Sequence, residues 1–230
     1  MAYSTVSQMT KELSKEPSLR ELCDQIKKDA WAEVDAWERS AADESQLWSE
    51  ESDENWELIQ RAAQMDYSEP AAFELHLEAA NAGSVWCQQV VGWHYWTGNG
   101  VAADKYLALQ YYHAAICGGS WIATLHYARL LYDLGRYDDC ERVLSDGVDC
   151  GFVPSFYWLA WFRHKRHGTR AVREEVRPLV EHAAKAGHPG AKDLLIHWMA
   201  TGRLRLRDIP RGFSMVVQDA IASANREDNR

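Results

Sequence analysis

Glycines recur at a nearly constant spacing along the second half of the chain. Gly83, Gly118, Gly151 and Gly187 lie 35, 33 and 36 residues apart, and each closes a segment with the pattern of two helices. A period in the thirties is typical of arrays of helical hairpins, in which each unit buries its apolar face against the next. We therefore predict an all-α fold, a right-handed superhelix (solenoid) of about four hairpins.

The unit at residues 84–118 shows how one hairpin is encoded. Its first helix has Val91, Gly92 and Tyr95 on one face, and the segment TGNG at 97–100 follows it. Two glycines within three residues permit a tight reversal, and Asp104 is a favourable N-cap for the next helix. In that second helix, LALQYYHAAICGG at 107–119, we expect one inner stripe of small residues and a tyrosine: Ala108, Tyr111, Ala114 and Ala115.

The same pattern gives bounds for all the predicted hairpins. We expect helix pairs near 84–97/104–117, 120–133/137–149, 155–166/170–186 and 190–201/208–223. The segment PAAFELHLEAANAG, which ends at Gly83, is predicted to be half a unit before the first complete one.

Residues 91–118 resemble the Sel-one-like repeat (SLR) family, a relative of the tetratricopeptide repeat. The matching pattern is a G-x-x-Y helix, a G-x-G-V loop, an Asp, and a helix with A-x-x-Y-x-x-A-A before a glycine. The next unit has a shorter loop, and the third keeps only its closing EHAAKAG. The resemblance implies a scaffold that presents a concave surface to another protein, and bacterial members are often regulators or adaptors.

Two flanking segments differ from the repeats, and we predict a boundary between residues 1–70 and 71–230. Residues 19–37 and 53–64 have helical periodicity, separated by an acidic linker, so residues 1–70 are predicted to be an acidic helical extension that caps the solenoid. A separate partner-binding helix is the alternative. At the other end we predict an amphipathic capping helix with apolar residues Ile209, Phe213, Val216, Val217 and Ile221.

Charge is distributed unevenly along the chain. Net charges are −10 for residues 1–70, −5 for 71–150 and +6 for 151–230. The basic runs RHKRHGTRAVR and RLRLRDIPR suggest nucleic-acid binding. The negative net charge of the whole chain and the separation of aromatic from basic segments disfavour that function. Electrostatic steering of a protein partner also fits this asymmetry. So does an acidic head, residues 1–70, that lies against the basic tail, residues 151–230.

The motifs of common enzymes and cofactor sites are missing from the sequence. The G-N-G at 98–100 lacks the remainder of either phosphate-binding fingerprint, and His-x-x-His at 164–167 supplies only two metal ligands. We therefore expect no cofactor, no metal and no catalysis. The five cysteines have no C-x-x-C spacing, and the N-terminus has no signal-like apolar region, so we expect a cytoplasmic protein with free thiols and no membrane span.

The first helices carry the positive signal for a binding site. Helical geometry places Trp and other large residues opposite the face that meets the hairpin mate, in the position that lines the groove of tetratricopeptide-like arrays. Tight packing between units is the alternative interpretation. We expect at least two of the five tryptophans to be exposed among the predicted partner-binding residues, which are Trp86, Gln89, Trp93, Trp96, Trp121, Tyr157, Trp161 and His164.

The sequence thus predicts a non-catalytic adaptor that binds a partner protein through an aromatic groove. An immunity-type inhibitor that occludes one enzyme is the alternative within the same class, and its acidic head would then mimic a substrate. An enzyme, or a nucleic-acid-binding protein that uses the basic C-terminal half, remains open as a further alternative.

Overall fold

The computed structural model describes residues 19–204 and 209–227, with side chains for 28–204 and 209–218. These residues form helices and no strands. In chain order the helices are α1 Leu19–Ala42, α2 Ser45–Ser49, α3 Asp53–Ala62, α4 Pro70–Asn81, α5 Val85–Thr97, α6 Lys105–Cys117, α7 Trp121–Asp133, α8 Tyr137–Asp149, α9 Val153–His167, α10 Arg170–Lys185, α11 Pro189–Ala200 and α12 Ile209–Glu227.

From α3 onward the helices pack in consecutive pairs, and each pair also packs against the next. Among the first helices of the hairpins, α7 also contacts both α5 and α9. The predicted all-α class and the helical-hairpin solenoid are thereby confirmed, and the predicted helix bounds agree with the observed ones to within a few residues. The structure also pairs α3 with α4, which gives the expected half-unit before Gly83 a first helix.

The chain divides into two compact units, residues 1–36 and 37–230. Residues 19–36, the described part of the first unit, are helical, and the hairpins all belong to the second unit. The predicted domain boundary at residue 70 stays a prediction. Ser18, which by residue type and position we predict to be the N-cap of α1, lies outside the described residues, as do the side chains of Cys23 and Ile221.

The helix starts follow the expected capping chemistry. Asp104 Oδ1 accepts hydrogen bonds from the backbone N–H groups of Tyr106 and Leu107 at 2.9 and 3.0 Å. Ser84 and Ser120 cap α5 and α7 in the same way. These caps satisfy N–H groups that a helix cannot pair internally, which explains why the first helices begin at these residues.

One detail of the predicted helix phase is wrong. The fully buried tyrosine of α6 is Tyr112, whereas Tyr111 is only partly buried. The Tyr112 ring lies against Gly92, where an added Cβ would be 2.8 Å from the ring, so the absence of a side chain at residue 92 permits this contact. Gly118 is the C-cap of α6, and the left-handed backbone follows at Gly119 (φ 96°).

The last helix is only partly covered. On α12, Phe213, Val216 and Val217 are exposed, whereas Gly212 is buried and Met215 is half-buried. The predicted amphipathic helix is present, but three of its apolar residues do not face the neighbouring helix.

Within the described part of the chain, no helix is both long and apolar enough to cross a membrane.

Candidate functional site

The eight residues predicted to bind a partner occupy three first helices, and the structure brings three of them together. Trp86, Gln89 and Trp93 of α5 line one cavity. The other five lie in separate contacts between helices: Trp96 near Tyr112 and His126, Trp121 against Phe152, Tyr157 near Trp161 and His188, and His164 against Trp198.

The five predicted tryptophans are less accessible than expected. All five are half-buried: Trp86, Trp93, Trp96, Trp121 and Trp161. We expected at least two of them to be exposed, and none is. Gln89 and Tyr157 are buried, at 5% and 3% exposure. The expectation of exposed tryptophans was wrong because these side chains also pack between helices. They still reach the surface in part.

The cavity on α5 has a volume of about 300 Å³ and mixes aromatic with polar walls. Besides the three predicted residues, it is lined by Arg39, Tyr67, Val90 and His126. Its size is at the lower end for a small-molecule pocket and suits a single large side chain. We call it the aromatic cavity.

The polar walls of the aromatic cavity are a buried amide and an imidazole. Gln89 Oε1 lies 2.8 Å from the hydroxyl oxygen of Ser120, the N-cap of α7. Burial and then the nearby guanidinium groups of Arg129 and Arg39 together lower the pKa of His126 to about 3. The imidazole is therefore neutral at pH 7, and Arg39 is the charged group in the wall.

A buried histidine pair lies beside the cavity wall. His76 Nδ1 is 3.2 Å from His94 Nε2, and His94 Nδ1 is 2.6 Å from the carbonyl oxygen of Asn99. Because a carbonyl only accepts, the His94 proton is on Nδ1, so its Nε2 accepts from the His76 N–H. Burial, followed by the effect of His94, lowers the pKa of His76 to about 4. The Tyr67 ring stacks on both histidines.

The first helices of the hairpins form one face of the structure, which we call the first-helix face. The sequence did not predict that residues 37–52 of the chain cover these helices. We call residues 37–52 the strap. Glu38 in the strap is buried, at 1% exposure. Its Oε2 pairs with Arg129 Nη2 of α7 at 2.7 Å, and its Oε1 accepts the indole N–H of Trp158 in α9. His188, the N-cap of α11, lies 3.3 Å from the same Oε1.

Two further carboxylates of the strap reach helix N-caps. Glu44 Oε1 accepts from the Ser120 hydroxyl at 2.6 Å, and Glu51 Oε2 accepts from the Ser84 hydroxyl. The strap thus meets α11, α7 and α5 in the reverse of their chain order. Helix N-termini carry a partial positive charge, so carboxylates there are favourable. Several of the acidic residues that make the head negative are therefore paired with other parts of the fold.

The described residues do not bring metal ligands together in a cluster. Among the described residues, no group of three or more His, Cys, Asp and Glu side chains is placed to hold a metal ion. The histidines of residues 164–197 are dispersed: His188 contacts Glu38, and His182 stacks on Phe156. The four described cysteines are free thiols, with Cys87 and Cys140 buried.

Comparison with solved structures decides the fold family. A Sel1 repeat protein from Oxalobacter formigenes superposes with a TM-score of 0.52 at 15% sequence identity, over 65% of this chain and 62% of that one. The chain has the Sel-one-like repeat fold. A protective antigen of uropathogenic Escherichia coli strains that displays an SLR fold gives a TM-score of 0.51 at 20% identity.

The SLR match extends over only part of those proteins. The second comparison covers 68% of this chain but 36% of the antigen, so this chain spans about a third of that protein and under two thirds of the first. No protein-family model and no curated protein matches the sequence. The likeness therefore establishes the SLR fold and no more than the fold.

Proposed function

We propose that this SLR-fold chain is a non-catalytic scaffold that binds another protein through the first-helix face, with the aromatic cavity as the anchor point. The observation that carries the proposal is the wall of that cavity, where Trp86, Trp93 and Tyr67 surround an opening of about 300 Å³. Binding hot spots are enriched in Trp and Tyr that form well-packed pockets for a partner's side chain.

The strap supports this assignment because it defines which part of the face is open. The carboxylates of Glu38, Glu44 and Glu51 contact the N-cap residues of α11, α7 and α5, respectively. Between these contacts, Arg39 of the strap forms part of the cavity wall rather than filling the cavity. A partner therefore has one aromatic opening on α5 and α7 into which a side chain fits without displacing the chain's own segment.

The immunity-type alternative has less support. It requires the acidic head to meet a basic enzyme site, but three of the head's carboxylates are engaged inside the fold. Those on α3, such as Asp53, Glu54 and Glu57, are exposed and would be the remaining candidates for such mimicry.

The test is affinity capture from an extract of the source organism with three baits: the wild-type chain, Trp93→Ala and Tyr106→Ala. Tyr106 is the matched control because its ring is 72% exposed and does not line the cavity. We expect a partner that is retained by wild type and Tyr106→Ala and lost with Trp93→Ala. Equal retention by all three baits would reject the cavity as the anchor point.

A further inference from the structure

The C-terminal end of the solenoid carries a second concave surface that the proposed function does not use. A groove of about 680 Å³ is formed by residues of α10, α11 and α12. Its apolar lining includes Leu195, Ile196 and Met215. We call it the tail groove. It is larger than the aromatic cavity and lies in the part of the chain with a net charge of +6.

Three cations line the tail groove. Lys185, Lys192 and Arg211 come from three successive helices and are all exposed. Within the described residues, none of the three has an ion pair with a carboxylate. Glu181 also lines the groove, but its carboxylate is engaged by Arg177 at 2.7 Å. The groove therefore presents uncompensated positive charge beside an apolar surface.

The exposed apolar residues of α12 lie on a different face from the groove. Phe213, Val216 and Val217 are 58%, 42% and 57% exposed. At 100° per residue they point away from Arg211, Met215 and Gln218, the residues by which α12 lines the groove. The apolar contacts that the groove offers a partner are therefore those of Leu195, Ile196 and Met215.

We propose that the tail groove is a docking site for an amphipathic helix of another protein, one that carries carboxylates along the edge of its apolar face. Such a helix would place its apolar residues on Leu195, Ile196 and Met215 and its carboxylates beside the three cations. Helix-in-groove docking reads apolar anchors at i, i+3, i+4 and i+7, and charge complementarity sets the partner and the orientation.

Two other occupants fit the surface less well. Nucleic acid would satisfy the cations, but its phosphate backbone would leave the apolar side chains of Ile196 and Met215 without contact. A second copy docked through the same surface would bring Lys192 and Arg211 of the two copies together, which is repulsive. Both are separate outcomes of the test below.

The test uses the full chain and three fluorescently labelled 18-residue peptides with the same leucine stripe at i, i+3, i+4 and i+7. Their flanking residues are glutamate, glutamine or lysine. A 20-base-pair DNA duplex is the fourth probe. We expect the glutamate peptide to bind at least tenfold more tightly than the glutamine peptide by fluorescence anisotropy, and this advantage to fall as salt rises. The lysine peptide should bind most weakly.

Variants locate the binding. Lys192→Glu with Arg211→Glu should weaken binding of the glutamate peptide at least tenfold, and Ile196→Ser with Met215→Ser, in the apolar lining of the groove, should weaken it too. Arg170→Glu is the matched control, because this exposed residue lies outside the groove. Circular dichroism checks that every variant keeps its helical content. Trp93→Ala should leave peptide binding unchanged, so the two proposals fail independently.

Three results would overturn the inference. One is equal affinity for the glutamate and glutamine peptides. Another is binding of the duplex in preference to the glutamate peptide, with loss in the Lys192→Glu/Arg211→Glu variant. The third is self-association of the wild-type chain that Ile196→Ser/Met215→Ser abolishes, which would assign the groove to a second copy.

Discussion

Replacing Glu38 by glutamine removes a buried charge at the start of the strap and leaves the size of the side chain almost unchanged. The carboxylate has three partners, Arg129, Trp158 and His188, and its side chain is 2% exposed. His188 Nδ1 accepts the backbone N–H of Ala191, so the ring proton on Nε2 points to Glu38. The glutamine side chain would keep one acceptor oxygen for these three donors, so at least one buried donor would lose its partner.

The expected loss of stability depends on the interactions that remain after the substitution. Breaking a buried ion pair from one side costs about 3–5 kcal/mol, and hydrogen bonds to charged groups contribute roughly 1.5–3 kcal/mol each. Arg129 keeps partial exposure, 21%, and its guanidinium carbon stays 4.1 Å from the centre of the Trp158 ring. Both reduce the cost. We expect Glu38→Gln to lower the free energy of unfolding by about 2–4 kcal/mol.

Urea unfolding followed by far-UV circular dichroism measures this loss. Glu57→Gln on α3 is the control, because Glu57 is exposed and its replacement should change stability by less than about 0.5 kcal/mol. In the double variant Glu38→Gln/Arg129→Met the losses should be less than additive, since the two residues share one interaction. Additive losses, or a Glu38→Gln effect no larger than the control, would refute the buried network.

Three further predictions test packing and protonation. Ala115→Leu should cost roughly 1–3 kcal/mol by overpacking a fully buried position, with the exposed Ala171→Leu as a neutral control in thermal melts. Gly92→Ala should also destabilise, by about 1–3 kcal/mol, because its Cβ would meet the Tyr112 ring at 2.8 Å; a higher melting temperature would contradict that contact. His76 is neutral in the fold with its pKa lowered to about 4, so the unfolded chain binds more protons between pH 6.5 and 4, and stability falls as pH falls through that range. Urea midpoints at pH 7 and 5 should differ less in His76→Gln than in the wild type.

The local sequence was sufficient to predict the hairpins. Glycine spacing, caps such as Asp104 and the period of the apolar residues are encoded within each unit, so the bounds of α5 to α12 were predicted closely. Rotation about a helix axis is harder to predict. Tyr111 and Tyr112 are adjacent on α6, and the contact with Gly92, which lies twenty residues before Tyr112, decides which of them is buried.

The strap could not be predicted in the same way. Glu38 meets Arg129 and His188 across 91 and 150 residues, and no local pattern marks such a pairing. The acidic composition of residues 1–70 suggested a cap or a partner surface, and both interpretations treated its charges as a group. The positions of three carboxylates at helix N-termini became visible only in the structure. The buried pair of His76 and His94 was missed for the same reason.

Trp93 is the residue on which partner binding at the aromatic cavity should depend most directly. Once a partner has been captured, isothermal titration calorimetry should compare its affinity for the wild-type chain and for Trp93→Ala. We predict a loss of about 2 kcal/mol or more, which is a roughly 30-fold increase in Kd, with helical content unchanged. An unchanged Kd in a folded Trp93→Ala variant would contradict partner binding at the aromatic cavity.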